Sequence, residues 1–294
     1  MPFKNLRISV NKNYWLVGLM LVSVQVSAQQ TVLRSQTISH KSTGRVVATK
    51  NIQKNFTENA APIAQMSSAE EEAKAEKVII VNKNAPVGVD INFLPLFGGF
   101  EKTENQQVDD QLFLSDCDKN FKNRKEAGEF FSKMGWDYLS EGEKNTAIHR
   151  FNLSYLLDNE NIDAYWGLGV IEYQQENYSS AIKLMSKGLE LCDGQNYVLM
   201  VDLATVYIKT ALANTNSVIE INQAKKLLEN AVKIQPNYSL AYVQLAVVYL
   251  FENQPDEAWN QFHKGYELNP AELNREVLAE LLSRKDDPKG IFKK

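Results

Sequence analysis

The residue types that most often perform acid–base, nucleophilic or metal chemistry are sparse in this chain. Of its 294 residues only three are histidines and two are cysteines, namely His40, His149, His263, Cys117 and Cys192. Metal ligands recur at short, regular spacings, and the sequence contains no HExxH, CxxC or Walker-type loop. The acidic run at residues 70–72 is a weak sign of acid–base catalysis, because such runs usually face solvent. We therefore predict no enzyme, no metal site and no cofactor.

Two points of this chemistry stay open on the sequence alone. Cys117 and Cys192 lie far apart along the chain, and the sequence does not give the Cα distance that a disulfide requires. Two unpaired, buried thiols are the favoured interpretation. The second open point is catalysis: an enzyme site built jointly from the N-terminal tether and the insertion in the third repeat is an alternative to a non-catalytic protein.

Residues 1–28 have the organisation of a secretory signal peptide. Three basic residues precede an apolar run of about 15 residues, and Val26, Ser27 and Ala28 fit a small-x-small cleavage pattern. A spanning helix needs about 20 apolar residues, so a retained anchor is less favoured. We predict an exported protein, periplasmic or secreted, with no membrane span after cleavage.

The overall composition excludes some partners and is typical of a folded protein. The chain is 44% hydrophobic and 23% charged, with a formal net charge of −4. Nucleic-acid affinity depends on Lys and Arg that neutralise phosphates, so nucleic acid is not an expected partner. Residues 29–88 are polar without a sustained period, and we predict that they form a disordered tether.

An apolar stretch, residues 91–100 (INFLPLFGGF), follows the tether. Burying one Leu or Phe contributes roughly 1.5 to 3 kcal/mol, so we expect this segment to dock on the repeats of its own molecule. Pro95 disfavours a helix and a central strand, which predicts an extended chain that turns at Gly98 and Gly99. The side chains predicted to dock are Phe93, Leu94, Leu96 and Phe97.

A leader helix is predicted to complete the region of residues 89–126. Thr103 followed by Gln106 is typical of a capping box at a helix start. Apolar residues then recur at helical spacing. The residues predicted to share one side of this helix are Val108, Leu112, Phe113 and Cys117.

From residue 127 the chain repeats itself. Gly169 follows Gly135 at the same interval as Ala181 follows Ala147. Four copies each place a small residue in a first helix and another in a second helix. Two antiparallel helices approach closely only where a side chain is tiny, so the pattern predicts stacked helix hairpins.

The third copy and the C-terminal region depart from this pattern. In the third copy the small residues Ala204 and Ala224 are further apart than the corresponding pairs of the other copies, so the insertion should lengthen the turn or the helix ends. After the fourth copy we predict a capping helix that has Asn269 as its N-cap and Pro270 in its first turn. Residues 285–294 should leave the fold as a basic tail. The apolar residues of the predicted cap are Leu273, Val277 and Leu281.

The four copies resemble tetratricopeptide repeats. The fourth fits the family pattern best, with its aromatic, Leu-Ala, Tyr, Ala, Phe and Pro positions at Tyr242, Leu245, Ala246, Tyr249, Ala258, Phe262 and Pro270. This resemblance implies an all-α, right-handed solenoid of about four helix hairpins over residues 127–284, with an N-terminal leader helix and a C-terminal capping helix.

In this family the inner face of the first helices usually binds the partner. The resemblance implies an apolar groove lined by Trp136, Leu139, Trp166, Val170, Tyr173, Val201, Ile208, Val243, Val247, Leu250 and Phe251. We predict a non-catalytic interaction module or scaffold of the bacterial envelope that binds an extended or helical apolar peptide, with residues 91–100 as one candidate occupant. Tight curvature could instead fill the groove. The alternative function is carbohydrate binding, with sugars stacked on Trp136, Trp166 and Tyr173.

Overall fold

The computed structural model describes residues 84–214 and 217–293. Within these residues the fold consists of ten α-helices and three 3-10 turns, without a β-strand. The helices are α1 (Glu104–Asn120), α2 (Arg124–Ser140), α3 (Lys144–Leu157), α4 (Ile162–Gln174), α5 (Tyr178–Leu191), α6 (Tyr197–Ala213), α7 (Val218–Ile234), α8 (Ser239–Phe251), α9 (Pro255–Leu268) and α10 (Arg275–Arg284). The predicted signal peptide and residues 29–83 of the predicted tether lie outside the described residues.

Helices α2 to α9 form four antiparallel hairpins that stack in series. The pairs α2 and α3, α4 and α5, α6 and α7, and α8 and α9 each pack closely, and each pair also packs on the next. The predicted all-α solenoid of four hairpins is confirmed. Searched over the described residues, no helix combines the length and apolarity that crossing a lipid bilayer requires.

Small residues lie at the points where the helices cross. A Cβ added to Gly135 would lie 2.7 Å from the Phe151 ring, and one added to Gly167 would lie 2.1 Å from the same ring. At Gly169 the added atom would lie 2.7 Å from Met185. Phe151 is fully buried, so its ring fixes the spacing of α2, α3 and α4. These glycines have no room for a larger side chain.

The insertion in the third copy lengthens the helices of its hairpin, as predicted. Helices α6 and α7 have 17 residues each, whereas α4 and α8 have 13. The prolonged start of α7 exposes Val218 and Ile219, whose accessible fractions are 70% and 73%. The third hairpin therefore extends beyond the ends of its neighbours.

Helix α1 begins where the sequence predicts, and its apolar side is only partly covered. Thr103 accepts a hydrogen bond from the Gln106 N–H and completes the capping box. Val108 and Leu112 are more than half exposed, while Cys117 is buried. Of the four apolar residues predicted to share one side, Phe113 and Cys117 pack against the first hairpin.

Residues 91–100 are not extended, in contrast to the prediction. They form two consecutive 3-10 turns, Ile91–Phe93 and Pro95–Gly99, joined by the extended residue Leu94. Leu96 and Phe97 have φ angles of 49° and 57°, in the left-handed region. Pro95 excludes a longer helix because it lacks the N–H and restricts the residue before it.

The C-terminal region differs from the prediction in two respects. Asn269 caps a 3-10 turn, Pro270–Glu272, and the capping helix begins later, with Asn274 accepting hydrogen bonds from the first turn of α10. Residues 285–293 do not leave the fold, because Phe292 stacks on the aromatic rings of α9. The expected free tail was therefore wrong.

Candidate functional site

The predicted groove on the first helices is largely filled by its own side chains. Four of the predicted lining residues, Leu139, Tyr173, Val247 and Phe251, are half-buried. The other seven are no more than 6% exposed, because each packs against neighbouring helices; they are Trp136, Trp166, Val170, Val201, Ile208, Val243 and Leu250. Side chains of the repeats themselves therefore occupy most of the predicted groove.

Two tryptophans join successive first helices from within. Trp136 Nε1 donates to Asp163 Oδ1 at 3.1 Å, and Trp166 Nε1 donates to Asp202 Oδ2 at 2.8 Å. The two indoles meet edge to face with their centroids 5.5 Å apart. Because both rings are buried, neither presents a face on which a sugar could stack. Sequence reasoning missed Asp202 as a partner, since its acceptor role depends on how adjacent repeats align.

The exposed remainder of the groove is a strip at the C-terminal ends of the first helices, which we call the inner strip. It consists of Leu139, Tyr173, Val247 and Phe251, on α2, α4 and α8. Nearby on α6, Lys209 is half-buried, and burial lowers its pKa against the opposing effect of Glu276. The four side chains of the inner strip are thus apolar or aromatic, and a partly desolvated lysine lies on the helix between α4 and α8.

The structure places residues 91–100 on the outer face of α3, not on the inner strip. Ile91 and Phe97 are buried, whereas Phe93 remains 42% exposed. The rings of Phe93 and His149 meet edge to face at 6.3 Å. Leu94 and Leu96 are half-buried. The segment thus covers the second helix of the first repeat.

Asn152 on α3 is the centre of this contact. Its side chain is completely buried. Its Nδ2 donates to the carbonyl oxygens of Asn92 at 3.0 Å and Leu94 at 2.8 Å, and its Oδ1 accepts from the Leu96 N–H at 2.9 Å. Sequence reasoning missed this residue. No local signal marks it, because α3 carries several other polar side chains among its apolar ones.

Charged groups border the same segment. Lys102 Nζ lies 3.5 Å from the centre of the Phe97 ring and 2.5 Å from Asp110 Oδ2 on α1. His149 is covered by the segment, and burial lowers its pKa, with Arg150 acting in the same direction. Burial and the two nearby cations Arg150 and Lys102 therefore favour the neutral form of His149, against the opposing effect of Asp90 on its pKa.

The C-terminal tail covers the last outer helix, α9, in a similar position. Asp287 accepts hydrogen bonds from the backbone N–H groups of Lys289, Ile291 and Phe292. His263 Nε2 lies 2.9 Å from Asp287 Oδ1, and burial lowers the pKa of His263 although the carboxylate opposes this. The Phe292 ring lies nearly parallel to that of His263, at 6.2 Å.

The thiols are placed for packing. Both cysteines are free, with Cys117 buried and Cys192 half-buried. Burial, assisted by Asp116, raises the pKa of Cys117 to about 11, so this thiol stays protonated at neutral pH and is a poor nucleophile. Among the described residues no group of three His, Cys, Asp or Glu side chains could hold a metal ion.

Comparison with known proteins identifies the repeat type. A family model of the tetratricopeptide repeat matches residues 227–260, which run from α7 through α8 into α9. No curated protein gave a significant match.

Several solved structures are similar to the array. PilF of Pseudomonas aeruginosa has 21% identity over 55% of this chain and 68% of its own, with a TM-score of 0.47. MamA from Desulfovibrio magneticus has 19% identity over 55% of this chain and 87% of its own, with a TM-score of 0.45. YrrB, described as a tetratricopeptide protein with an unusual peptide-binding site, has 22% identity over 54% and 87%, with a TM-score of 0.40.

The family match and the hairpins lead to the same assignment. The matched interval, residues 227–260, begins within the second helix of the third hairpin and ends within the second helix of the fourth. It is therefore offset by one helix from the hairpins described above. The two hairpins at the N-terminal end of the array share one regular spacing of their small residues. Residues 227–260 are therefore similar to a tetratricopeptide repeat, and the other hairpins of the array have the same arrangement of paired antiparallel helices.

Proposed function

We propose that the chain is a non-catalytic protein-interaction module of the bacterial envelope that binds an apolar peptide against the inner strip. The observation that carries this proposal is the half-buried apolar character of Leu139, Tyr173, Val247 and Phe251, within a groove whose other predicted lining residues are buried. Stacked tetratricopeptide repeats commonly use extended inner surfaces to bind partners. A partner that covers these four side chains removes their remaining apolar surface from water, which favours binding.

The charges near the inner strip favour the same class of partner. Asp163 is hydrogen-bonded to Trp136, and the pKa of Lys209 is lowered by burial. A surface that binds a carboxylate terminus would need several accessible cations. We therefore propose that the partner is an extended or helical segment recognised through apolar side chains.

Selection from a phage-displayed library of random peptides tests the binding surface. We expect the full chain to enrich apolar peptides, and Phe251→Ser to weaken their binding at least about tenfold, because it removes the largest apolar side chain of the strip. Ile234→Ser is the matched control, since Ile234 is 40% exposed at the end of α7. Selected peptides whose affinity is lowered by Ile234→Ser and unchanged by Phe251→Ser would contradict the proposal.

Export is the second part of the proposed function and is tested separately. The support is the basic start, apolar run and small-x-small motif within residues 1–28. We expect the full chain, expressed in a Gram-negative host, to be recovered from the periplasm with Gln29 as its first residue. Recovery in the cytoplasm with Met1 retained would contradict this part alone.

A further inference from the structure

Residues 90–100 are held on α3 through their backbone as well as through apolar side chains. One side-chain amide, that of Asn152, satisfies two carbonyl groups and one N–H of the segment. An amide that both donates and accepts recognises the direction and conformation of a peptide chain, whatever its side chains. Peptide-binding proteins use the same division, in which main-chain bonds hold the ligand and pockets select its side chains.

The conformation that Asn152 recognises is unusual. Leu96, Phe97 and Gly98 follow one another in the left-handed region, with φ angles of 49°, 57° and 66°. Residues with a Cβ adopt this region reluctantly, so a free peptide populates such a turn only in part. The site therefore selects a turn that few other sequences form.

Gly98 adds a sequence requirement to this turn. A Cβ at Gly98 would lie 2.8 Å from the Phe100 ring and 2.9 Å from Leu94 Cδ1, whereas one at Gly99 would meet nothing within 4 Å. Both glycines have positive φ angles. Only the first of the two is therefore required for close packing inside the turn.

The segment also has the apolar anchors of a ligand. Ile91 and Phe97 are buried on the outer face of α3, and Lys102 closes over the Phe97 ring at 3.5 Å. The two 3-10 turns pack mainly on α3 and on each other, whereas α3 is tied to α2 and α4 by its own inward face. The packing of the first repeat on the second therefore uses contacts between the helices themselves and does not depend on the segment.

We propose that the outer face of α3 around Asn152 is a peptide-binding site, and that residues 90–100 are its exchangeable intramolecular ligand. The site accepts an apolar Leu-Pro-Leu-Phe-Gly-Gly turn. In the intact chain this turn is joined to α3 through α1 and α2, which gives it a high effective concentration at the site, so the site is normally filled. It is distinct from the inner strip, and its test does not depend on the proposed function.

The test uses the full chain with its own turn disabled. Leu96→Ser together with Phe97→Ser should release the segment and leave α3 free. The probe is a fluorescent synthetic peptide of residues 86–102, and binding is measured by anisotropy. We expect it to bind this double variant at least about tenfold more tightly than the wild-type chain, in which the intramolecular turn competes.

Two matched controls assign the binding to Asn152 and to the turn. Adding Asn152→Ala to the double variant should weaken peptide binding by about tenfold or more, because three buried backbone groups lose their partner. A peptide carrying Gly98→Ala should bind more weakly than one carrying Gly99→Ala, since only the first Cβ meets other atoms.

Three results would overturn the proposal. The first is a double variant that unfolds cooperatively yet fails to bind the peptide. The second is a double variant that no longer unfolds cooperatively, because the segment is then part of the core and no ligand. The third is peptide binding that Asn152→Ala leaves unchanged. Tighter binding by the double variant, reduced by Asn152→Ala, supports it.

Discussion

The two ends of the repeat array are covered by short segments of the same chain, and the covers are held by different chemistry. At the N-terminal end residues 90–100 lie on α3, and a buried amide bonds to their backbone. At the C-terminal end residues 285–293 lie on α9, where Phe292 packs among Trp259, Phe262, His263 and Tyr266. The first cover depends on a particular turn, while the second depends mostly on buried aromatic area.

This difference separates stability from specificity. Aromatic packing stabilises in proportion to the area it removes from water and tolerates some change of shape. Hydrogen bonds to a strained turn add less net stability, but they exclude chains that cannot adopt that turn. We therefore expect the C-terminal cover to contribute more to the stability of the array and the N-terminal cover to discriminate more strongly between sequences.

The largest expected effect is at the C-terminal cover. Phe292→Ala should lower the free energy of unfolding by about 2.5 kcal/mol, less than the loss of a fully buried ring would cost, because Phe292 is half-buried. Ile291→Ala is the matched control, because Ile291 is 48% exposed and should change stability by less than about 0.5 kcal/mol. Urea unfolding followed by tryptophan emission measures both, and equal losses would contradict a cover held by aromatic packing.

The next effect is at the N-terminal turn. Gly98→Ala should destabilise the full chain by about 2 kcal/mol, of which about 1 kcal/mol is the cost of a Cβ at positive φ and the rest is contact with Phe100 and Leu94. Gly99→Ala should cost only the first part, because its Cβ would point into open space. Thermal unfolding of the two variants gives the comparison, and identical values would show that the turn is not closely packed.

Acid should loosen both covers, because burial lowers the pKa of His149 and of His263. A histidine whose pKa is depressed in the docked state takes up a proton more readily when the cover is released. Docking is therefore fully present above the ordinary histidine pKa, near 6.5, and is lost as the pH falls through the docked value.

Charged neighbours also shift the pKa of each histidine and so affect how strongly each cover responds to acid. Asp90 opposes the lowered pKa of His149, while Lys102 and Arg150 reinforce it. Around His263, Asp287 and Glu267 raise the pKa and Lys289 lowers it.

Hydrogen exchange measures this acid response for each cover. Between about pH 7 and pH 5, a range that spans the ordinary histidine pKa, protection of the amides in residues 91–100 should fall in the wild-type chain. It should fall less in His149→Gln. His263→Gln is the matched control, since it should change the pH dependence of residues 285–293 and leave the N-terminal cover as it was. An unchanged pH profile in His149→Gln would contradict the assignment to this histidine.

The smallest effect is expected at Lys102. Lys102→Met keeps an apolar stem but removes the charge over the Phe97 ring, which should cost about 0.5 to 1 kcal/mol. Asp110→Asn removes the ion pair of Lys102 and leaves the ring contact in place. If Asp110→Asn destabilises the chain as much as Lys102→Met does, the ion pair and not the ring accounts for the contribution.

The hairpins could be predicted because their cause is local. Gly135, Gly169 and the alanines at the helix crossings recur at a spacing that any hairpin of this kind requires. The same reasoning predicted the start of α1, since Thr103 and Gln106 lie within one turn of each other. The longer helices of the third hairpin also followed from the wide separation of Ala204 and Ala224.

The filled groove could not be predicted because it depends on how closely successive repeats approach one another. A position in a first helix shows which side chain points inward, but not how near the next repeat comes. Trp136 was expected to face water, and its bond to Asp163 forms only because α2 and α4 approach closely. The covers at both ends posed the same difficulty: Asn152 and Phe292 lie among residues that give no local sign of a distant partner.

The tryptophan–aspartate bonds also affect how the array responds to force. Each bond has its donor on one repeat and its acceptor on the next, at Trp136 with Asp163 and at Trp166 with Asp202. Bending the first three repeats apart must break these hydrogen bonds, whereas the directional contact between the third and fourth hairpins is the more exposed ion pair of Lys225 with Glu252. Because salt screens a partly exposed ion pair more than a buried hydrogen bond, the stiffness of the last joint should depend on ionic strength more than that of the first two.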